Sequence, residues 1–388
     1  MIITARSVIF VCALFFLVTG CNESESGSTG QATSYRVDTV LTGLEHPWGM
    51  VFLPGANHLA LVTERPGRLN LVDITRGSRT QITGLPQIAA AGQGGLLDVA
   101  LHPDFEDNRL VYLSYAAAGE SRGQFATHVC RGRLNVGGAV LSDVEVILVA
   151  EPFVGTQAHF GSRLVFDGQK RLYVTSGDRK NRHSAQDLTS LHGKTLRIND
   201  DGSIPPDNPF INADGVHPAI YSYGHRNSQG MALHPETGEI WQCEHGESGG
   251  DEINILVKGG NFGWPVATYA REYISRRTIG VLPPEHDKTV IPVYYWEADA
   301  FPPSGMAFYK GDAFKNWRGN LFVGGLKERC LARFEIDGRR VVKAERLLED
   351  RGWRIRDVRV NPADGFLYVL VDAENAPLVK IMPGSKDQ

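Results

Sequence analysis

The 388 residues carry a formal net charge of −4, 43 glycines and 20 prolines, and their apolar residues fall in short runs, a composition of a large β-rich globular protein rather than a helical one. Charges of the two signs are interspersed without long single-sign blocks, which argues against a dedicated nucleic-acid surface, because phosphate binding needs a clustered basic face. Beyond residue 21 only Cys130, Cys243 and Cys330 remain, so at most one disulfide can form; buried free thiols are the simpler reading.

Residues 1–20 read as an export signal: Arg6, the apolar run Val8 to Val18, then Thr19-Gly20-Cys21. The apolar run is under the ~20 residues needed to span a bilayer. Two endings fit, a plain secretory signal with an unmodified cysteine and a signal cleaved before Cys21. Residues 21–35 form a flexible tether, Ser/Gly/Glu-rich from Asn22 to Thr33, and 36–388 form one folded domain.

Within that domain one pattern recurs six times: a small or polar lead-in, an alternating apolar strand, a turn rich in Pro, Gly or Asp, and a second short apolar strand. The copies begin at Trp48, Leu96, Ser162, Gln229, Ser304 and Ile355. Turns such as Pro235 to Gly238 and Pro362 to Gly365 make each copy an antiparallel hairpin. RLNLVD at Arg68, TLRIND at Thr195 and CLARFEID at Cys330 supply third strands. A lone hairpin cannot bury both faces, whereas four-stranded blades stacked around an axis can. The expected fold is all-β, a six-bladed β-propeller with four-stranded antiparallel blades. A parallel β-helix or β-sandwich is the competing architecture, but its repeats recur at shorter, more even spacing.

The repeats carry a geometric consequence. Residues just before the first strand and just after the second must share one end of the propeller, because the two strands are antiparallel. The first group includes Gln93, His159, Arg226, Asn227, Arg354 and Arg356; the second includes Glu64, Asp178, Glu244, His245, Gly246, Lys327 and Asp372. Together they predict a cationic mouth suited to a multiply anionic small ligand; the alternative is that each ties one blade to the next. His159 is either a structural histidine or a general base facing the arginines. The acidic tip Glu244 to Glu252, with Gly246, Gly249 and Gly250, is either a calcium site built partly from main-chain carbonyls or a solvated hairpin turn.

The ordered motifs from Gln93-Gly94-Gly95 through HFGSRLVFD at His159, TSGDR at Thr175, LHGKTLRIN at Leu191, GHRNSQG at Gly224, EHGESGGDEIN at Glu244, GGNFGWP at Gly259 and RIRDV at Arg354 resemble the soluble quinoprotein sugar dehydrogenases, and more closely the aldose sugar dehydrogenases. The resemblance runs from about Val37 to the C-terminus. It implies a propeller holding pyrroloquinoline quinone (PQQ) and calcium at its mouth. It makes His159 the general base that takes the anomeric hydroxyl proton of an aldose while hydride passes from C1 to the quinone C5, giving a lactone. It gives Arg226 and Asn227 the developing oxyanion and the quinone, Lys327, Arg354 and Arg356 the cofactor's carboxylates, Gln93 an amide contact, and Tyr273 a place at the cofactor pocket. One calcium is implied on the carbonyls of Gly246 and Glu247, a second on Glu252 and a main-chain oxygen near Phe262.

Val-Thr-Gly-Cys resembles a bacterial lipobox, which implies a lipidated Cys21; Asn22 after it points to a periplasmic protein anchored in the outer membrane. Two departures stand out: Glu247 where relatives often have Pro, and Ala158 where glucose-specific members carry an acid. The dimer-building insertions also look absent between Ala270 and Pro292. The expectation is a monomer with a broad aldose range, passing electrons to an external acceptor and touching a membrane only through its anchor. Two competing functions are a calcium-dependent lactonase-like hydrolase, which needs a side-chain-ligated channel metal rather than a ring of cations, and a non-catalytic sugar- or protein-binding propeller.

Overall fold

The computed structural model describes residues 34–297 and 300–384. The signal, the tether up to Thr33 and Cys21 therefore lie outside the described residues. No helix among the described residues is long and apolar enough to cross a membrane.

The first strand, β1 (Tyr35–Leu44), stands apart from the first blade, which comprises β2 (Pro47–Leu53), β3 (Ala56–Glu64), β4 (Arg68–Asp73) and β5 (Ser78–Ile82). The second blade contains β6 (Leu96–Leu101), β7 (Leu110–Ala118), β8 (Phe125–Asn135) and β9 (Val140–Val154). The third contains β10 (Leu164–Phe166), β11 (Leu172–Ser176), β12 (Lys194–Ile198) and β13 (Ile220–Tyr223). The fourth is β14 (Ser228–Leu233), β15 (Ile240–Glu244), β16 (Asp251–Ile255) and β17 (Tyr294–Trp296). The fifth is β18 (Pro303–Phe308), β19 (Leu321–Gly325), β20 (Leu331–Asp337) and β21 (Arg340–Leu347). In the sixth, β22 (Ile355–Val360), β23 (Leu367–Val371) and β24 (Ala376–Pro383) are completed by β1.

All six sheets are four-stranded and antiparallel, a six-bladed propeller, and the six repeats are its inner hairpins. The predicted third strands are β4, β12 and β20. One feature went unpredicted: β1 pairs with β24, from Tyr35 opposite Pro383 to Leu44 opposite Ala376, so the two ends of the chain close the ring in one sheet. The folded domain consequently starts inside the stretch assigned to the tether, since Tyr35 already belongs to a strand.

Apolar side chains pack between neighbouring blades, as where Leu61 and Leu69 of the first meet Leu113 and Cys130 of the second. Cys130, Cys243 and Cys330 are all buried free thiols. The seam between the third and fourth blades is the least apolar, with only Tyr173, Met231 and Ile240 fully buried in its cluster. Polar bonds hold it instead: Thr195 Oγ1 donates to Gln242 Oε1 at 2.7 Å and Thr175 Oγ1 to the Ser228 carbonyl at 3.0 Å.

Candidate active site

The lead-in and trailing residues of the repeats do converge. A cavity of about 260 Å³ at one end of the axis draws its lining from all six blades, including Trp48 and Arg65, Gln93 and Leu97, Phe160, Asn227 with Gln229 and His245, Pro302 and Leu326, and Arg354, Arg356 and Asp372. Of the sequence candidates, Gln93, Asn227, Arg354 and Arg356 thus share one cavity. Its walls combine flat apolar faces with three guanidinium groups and one carboxylate.

His159 and Arg226 each stand next in sequence to a lining residue. His159 is 4% exposed and has φ +55°, a left-handed conformation uncommon for a non-glycine residue. Two contacts hold it there. Its backbone N–H donates to Gln93 Oε1 at 2.9 Å, and its Nδ1 lies 2.6 Å from Asp178 Oδ1. Close approach of the chains depends on Gly177, where a Cβ would sit 2.2 Å from the His159 carbonyl oxygen.

The partners of Asp178 define the ring's tautomer. Burial pushes this carboxyl upward, but the hydrogen bond and charge of His159, the charge of Arg226 and the Trp264 indole together hold it below the usual carboxylate range. An ionised Asp178 only accepts, so Nδ1 carries the proton and Nε2 presents a lone pair. Trp264 Nε1 donates to the second oxygen, Asp178 Oδ2, at 2.9 Å. The His159 ring itself is held below its ordinary value, first by burial and then by the Arg226 charge, against the pull of Asp178. A buried, neutral imidazole oriented by a carboxylate is a proton acceptor at neutral pH.

Arg226 is anchored by its backbone N–H, which donates to Glu244 Oε2 at 2.7 Å, and its guanidinium lies over the Trp264 ring at 5.3 Å. Arg356 donates to Gln229 Oε1 at 2.9 Å and pairs with Asp372 at 3.0 Å, while its buried Nε has no hydrogen-bond partner. Arg354 reaches the same Asp372 oxygen at 3.3 Å with nearly half its side chain exposed. Lys327 follows the lining residue Leu326 and is exposed. Tyr273 is not brought to the cavity: it is 56% exposed, because the segment after Trp264 carries it outward to a turn.

The acidic tip is not a solvated turn. Glu244, Asp251 and Glu252 are 5%, 2% and 5% exposed. Glu244 is occupied by His225 Nδ1 at 2.8 Å and by the Arg226 N–H; Asp251 accepts the Gly246 N–H at 2.8 Å and the Phe301 N–H at 2.7 Å. Among the described residues the Glu252 side chain has only Asn254 as a hydrogen-bond partner, at 3.3 Å, and burial, reinforced by the Glu244 charge, pushes its carboxyl well above the ordinary range. It faces a void of about 10 Å³, close to the size of one small ion, shared with Gly246, Gly250, Phe262 and Thr268. Among the described residues no cluster of three or more His, Cys, Asp or Glu side chains forms a metal site, so a cation here would depend on main-chain oxygens. At Gly246 a Cβ would meet the Gly249 carbonyl oxygen at 2.1 Å, which keeps these main chains close. Arg226 also lines that void, and the side chain of Glu247 is engaged by arginines: it pairs with Arg182 at 2.5 Å and lies 3.8 Å from Arg226 Nε.

Sequence reasoning left Arg65, Trp48 and Trp264 without roles. Arg65 directly follows β3, a position the repeat alignment marks; Trp48 is the second residue of β2; Trp264 sits in GGNFGWP, where only the three-dimensional structure brings it to Asp178.

The chain matches the Glucose / Sorbosone dehydrogenase family over residues 44–380. It is 43% identical over 353 residues to the aldose sugar dehydrogenase YliI of Escherichia coli strain K12, covering 90% of this chain and 93% of that protein. A solved glucose dehydrogenase structure superposes with a TM-score of 0.86 at 44% identity, covering 90% of this chain and all of the other. The PQQ-bound form of an aldose sugar dehydrogenase from Streptomyces coelicolor gives a TM-score of 0.74 at 28% identity, covering 90% and 98%. The chain therefore belongs to the glucose/sorbosone dehydrogenase family, as a soluble aldose sugar dehydrogenase-type propeller.

Proposed function

We propose that this protein oxidises aldoses at C1 to lactones with PQQ as the bound oxidant and calcium as its partner ion. The observation that carries the reading is the His159–Asp178 pair, its Nε2 lone pair available beside Arg226 and Asn227 at the wall of a cationic cavity. When bound, the quinone supplies the two-electron hydride acceptor, and calcium acts on it as a Lewis acid.

The residues fit these groups. Arg354, Arg356 and its orphaned Nε, Arg65 and the adjacent Lys327 suit a multiply anionic ligand, while Trp48, Leu97 and Phe160 supply flat apolar walls. Gln93 and Asn227 add directional amide contacts. The carbonyls of Gly246 and Glu247 are the candidate ligands for the cofactor calcium. Glu252 and the Phe262 carbonyl suit a second calcium, which would neutralise a carboxylate otherwise buried beside Glu244.

In the reaction His159 Nε2 takes the proton of the anomeric hydroxyl, and Asp178 steadies the imidazolium that forms. Arg226 and Asn227 stabilise charge on the sugar oxygen as C1 loses its hydride. Ala158 places no acid beside the base, which favours a broad range of aldoses. The electrons pass on to an external acceptor. We further propose a monomer, exported to the periplasm and held at the outer membrane through a lipidated Cys21.

The test is reconstitution of the apo protein with calcium and PQQ, followed by dye reduction with a panel of aldoses. Several sugars should be turned over. Bound quinone without dye reduction by any sugar would end the enzyme reading, and glucose alone as substrate would end the broad-range reading. A dimeric mass by light scattering would end the monomer, and an unmodified mature N-terminus by mass spectrometry would end the anchor.

A further inference from the structure

The segment between β16 and β17 holds most of the large exposed apolar side chains among the described residues. From Arg271 to Thr278 it folds back on itself, with the Glu272 N–H donating to the Arg277 carbonyl at 2.9 Å and the Arg276 N–H to the Glu272 carbonyl at 3.1 Å. Its base is fastened to the acidic hairpin by reciprocal Ser248 and Arg271 backbone bonds of 3.1 and 3.3 Å. At the tip Ile274 is 98% exposed and its neighbour Tyr273 is 56% exposed. An isoleucine presented this fully has no packing partner among the described residues.

The charge around that tip is one-sided. Arg271, Arg276 and Arg277 are exposed, and none has a carboxylate within ion-pairing distance among the described residues. The nearest acid in sequence, Glu272, is occupied by Arg182 at 2.6 Å. In a chain of net charge −4, three unneutralised arginines around an apolar tip form a local field of opposite sign.

We propose that the Glu272–Arg277 turn is the docking surface for a small acidic electron-carrier protein. The inference rests on the function proposed above. Each aldose oxidised to a lactone releases two electrons and two protons, so two one-electron carriers are reduced per sugar while the protons pass to water. The turn stands beside the mouth from which those electrons leave, connected to Arg226 through Glu272, Arg182 and Glu247. The arginines steer an acidic partner, and Ile274 with Tyr273 supplies the small desolvated centre of the contact. A bilayer is the poorer occupant: a surface broader than the propeller, laid on this turn, would obstruct sugar entry at the adjoining mouth.

The test uses the calcium- and PQQ-loaded full chain, an acidic plastocyanin and a basic cytochrome c as acceptors, and a small dye as control. Plastocyanin should be reduced faster than the cytochrome at low salt, with the advantage fading as ionic strength rises. Ile274→Asp and Arg277→Glu should each slow plastocyanin reduction on the order of tenfold, with dye turnover unchanged. Equal reduction of plastocyanin by the variants, or a faster rate with the cytochrome, would overturn the docking surface while dye turnover upheld the enzyme. Loss of dye turnover in the variants would make the turn part of the sugar site instead. Retention of the unaltered protein, but not Ile274→Asp, on phosphatidylglycerol vesicles would replace the protein partner with a membrane. No dye reduction by the unaltered enzyme would remove both readings together.

Discussion

Two sets of buried charges do different work, and in β22 they stand side by side as Arg356 and Asp357. On the propeller axis Arg163 Nη1 bridges Asp98 at 3.0 Å and Asp357 at 3.3 Å, and Arg359 reaches Asp357 at 3.3 Å. Asp98, Arg163 and Asp357 occupy equivalent repeat positions, and the other three copies have Gly49, Gly230 and Gly305 there. The glycines make the room: a Cβ on Gly49 would lie 2.4 Å from Asp98 Oδ1, and on Gly305 1.9 Å from Asp357 Oδ1. At the mouth, by contrast, His159 Nε2 is free, and the cavity-lining Arg356 keeps a buried Nε without a hydrogen-bond partner among the described residues. The Trp48 indole lies between the two regimes, with Arg163 at 4.3 Å and Arg356 at 5.8 Å from its ring centre. On the axis both carboxylates are closed by arginines, with only Arg163 Nη2 left without a hydrogen-bond partner, and they hold the ring together; at the mouth the charged groups line a cavity that can take a ligand.

The sharpest test of this division exchanges the two properties. His159→Gln should lower kcat on the order of 10²–10⁴-fold with little change in thermal midpoint, since the ring's outer nitrogen supports no other residue. Arg163→Met should do the reverse. Stranding Asp98 and Asp357 in the core should cost about 3–5 kcal/mol in denaturant unfolding, while kcat per folded molecule stays near its original value. Early melting of the first variant, or a folded but inactive second, would collapse the distinction.

Acidification compares the His159 imidazole with other histidines that burial keeps neutral elsewhere in the propeller. Burial holds His128, His159, His192 and His217 below their ordinary value, His192 at about 4. The unfolded chain takes up these protons near pH 6.5, whereas the folded protein does so only at lower pH. Stability is therefore fully present above about pH 6.5 and declines as pH falls toward 4, with His192 alone contributing on the order of 3 kcal/mol. Urea midpoints measured between pH 7 and pH 4 should show the fall, and His192→Leu should flatten part of it. A flat profile in the unaltered protein would mean these rings are hydrated.

Calcium separates Glu252 from the axial carboxylates, which already have arginines. Calcium at a hundredfold excess over its Kd should stabilise the protein by about 2.7 kcal/mol, and Glu252→Gln should abolish the increment. Because the folded-state pKa of Glu252 is raised, its ionised form opposes folding above the ordinary carboxyl range when no cation is present. The calcium-free Gln variant should accordingly melt no lower than the calcium-free parent at pH 7. A lower melt would show Glu252 to be a structural acceptor.

How much of this was legible depends on whether the information is periodic or pairwise. The six hairpins were visible because alternation and turn chemistry are local, and the polar mouth followed from them without contact information. β1 escaped because a solitary strand has no turn linking it to a partner, and its partner β24 lies at the other end of the chain. The axial cluster left a trace, charged residues at three of six equivalent positions. Sequence cannot say that Arg163 joins residues 65 and 194 positions away. Trp264 was visible as a motif residue, and its role was hidden for the same reason. Glu247 shows the same limit: its side chain pairs with Arg182 and lies near Arg226, contacts that no local pattern reveals.

The smallest expected effect concerns whether the outer turn and the catalytic wall form one unit. Arg182 joins Glu247 of the acidic hairpin to Glu272 of the turn and, like Arg226, lies over the Trp264 ring, at 5.5 Å. Its side chain is 31% exposed, so water screens both pairs and the bridge should contribute no more than about 1 kcal/mol. Arg182→Gln should therefore leave the thermal midpoint nearly unchanged yet free the turn. Trypsin should then cut after Arg271, Arg276 or Arg277 faster than in the parent, and KM should rise about threefold against a smaller change in kcat, as expected for about 0.6 kcal/mol of lost positioning. Glu272→Gln should reproduce the protease sensitivity, and the double variant should add little, because both changes remove one bridge. Additive losses would place Arg182's effect in its contact with Glu247, making the hairpin tip rather than the turn the element that steadies Arg226.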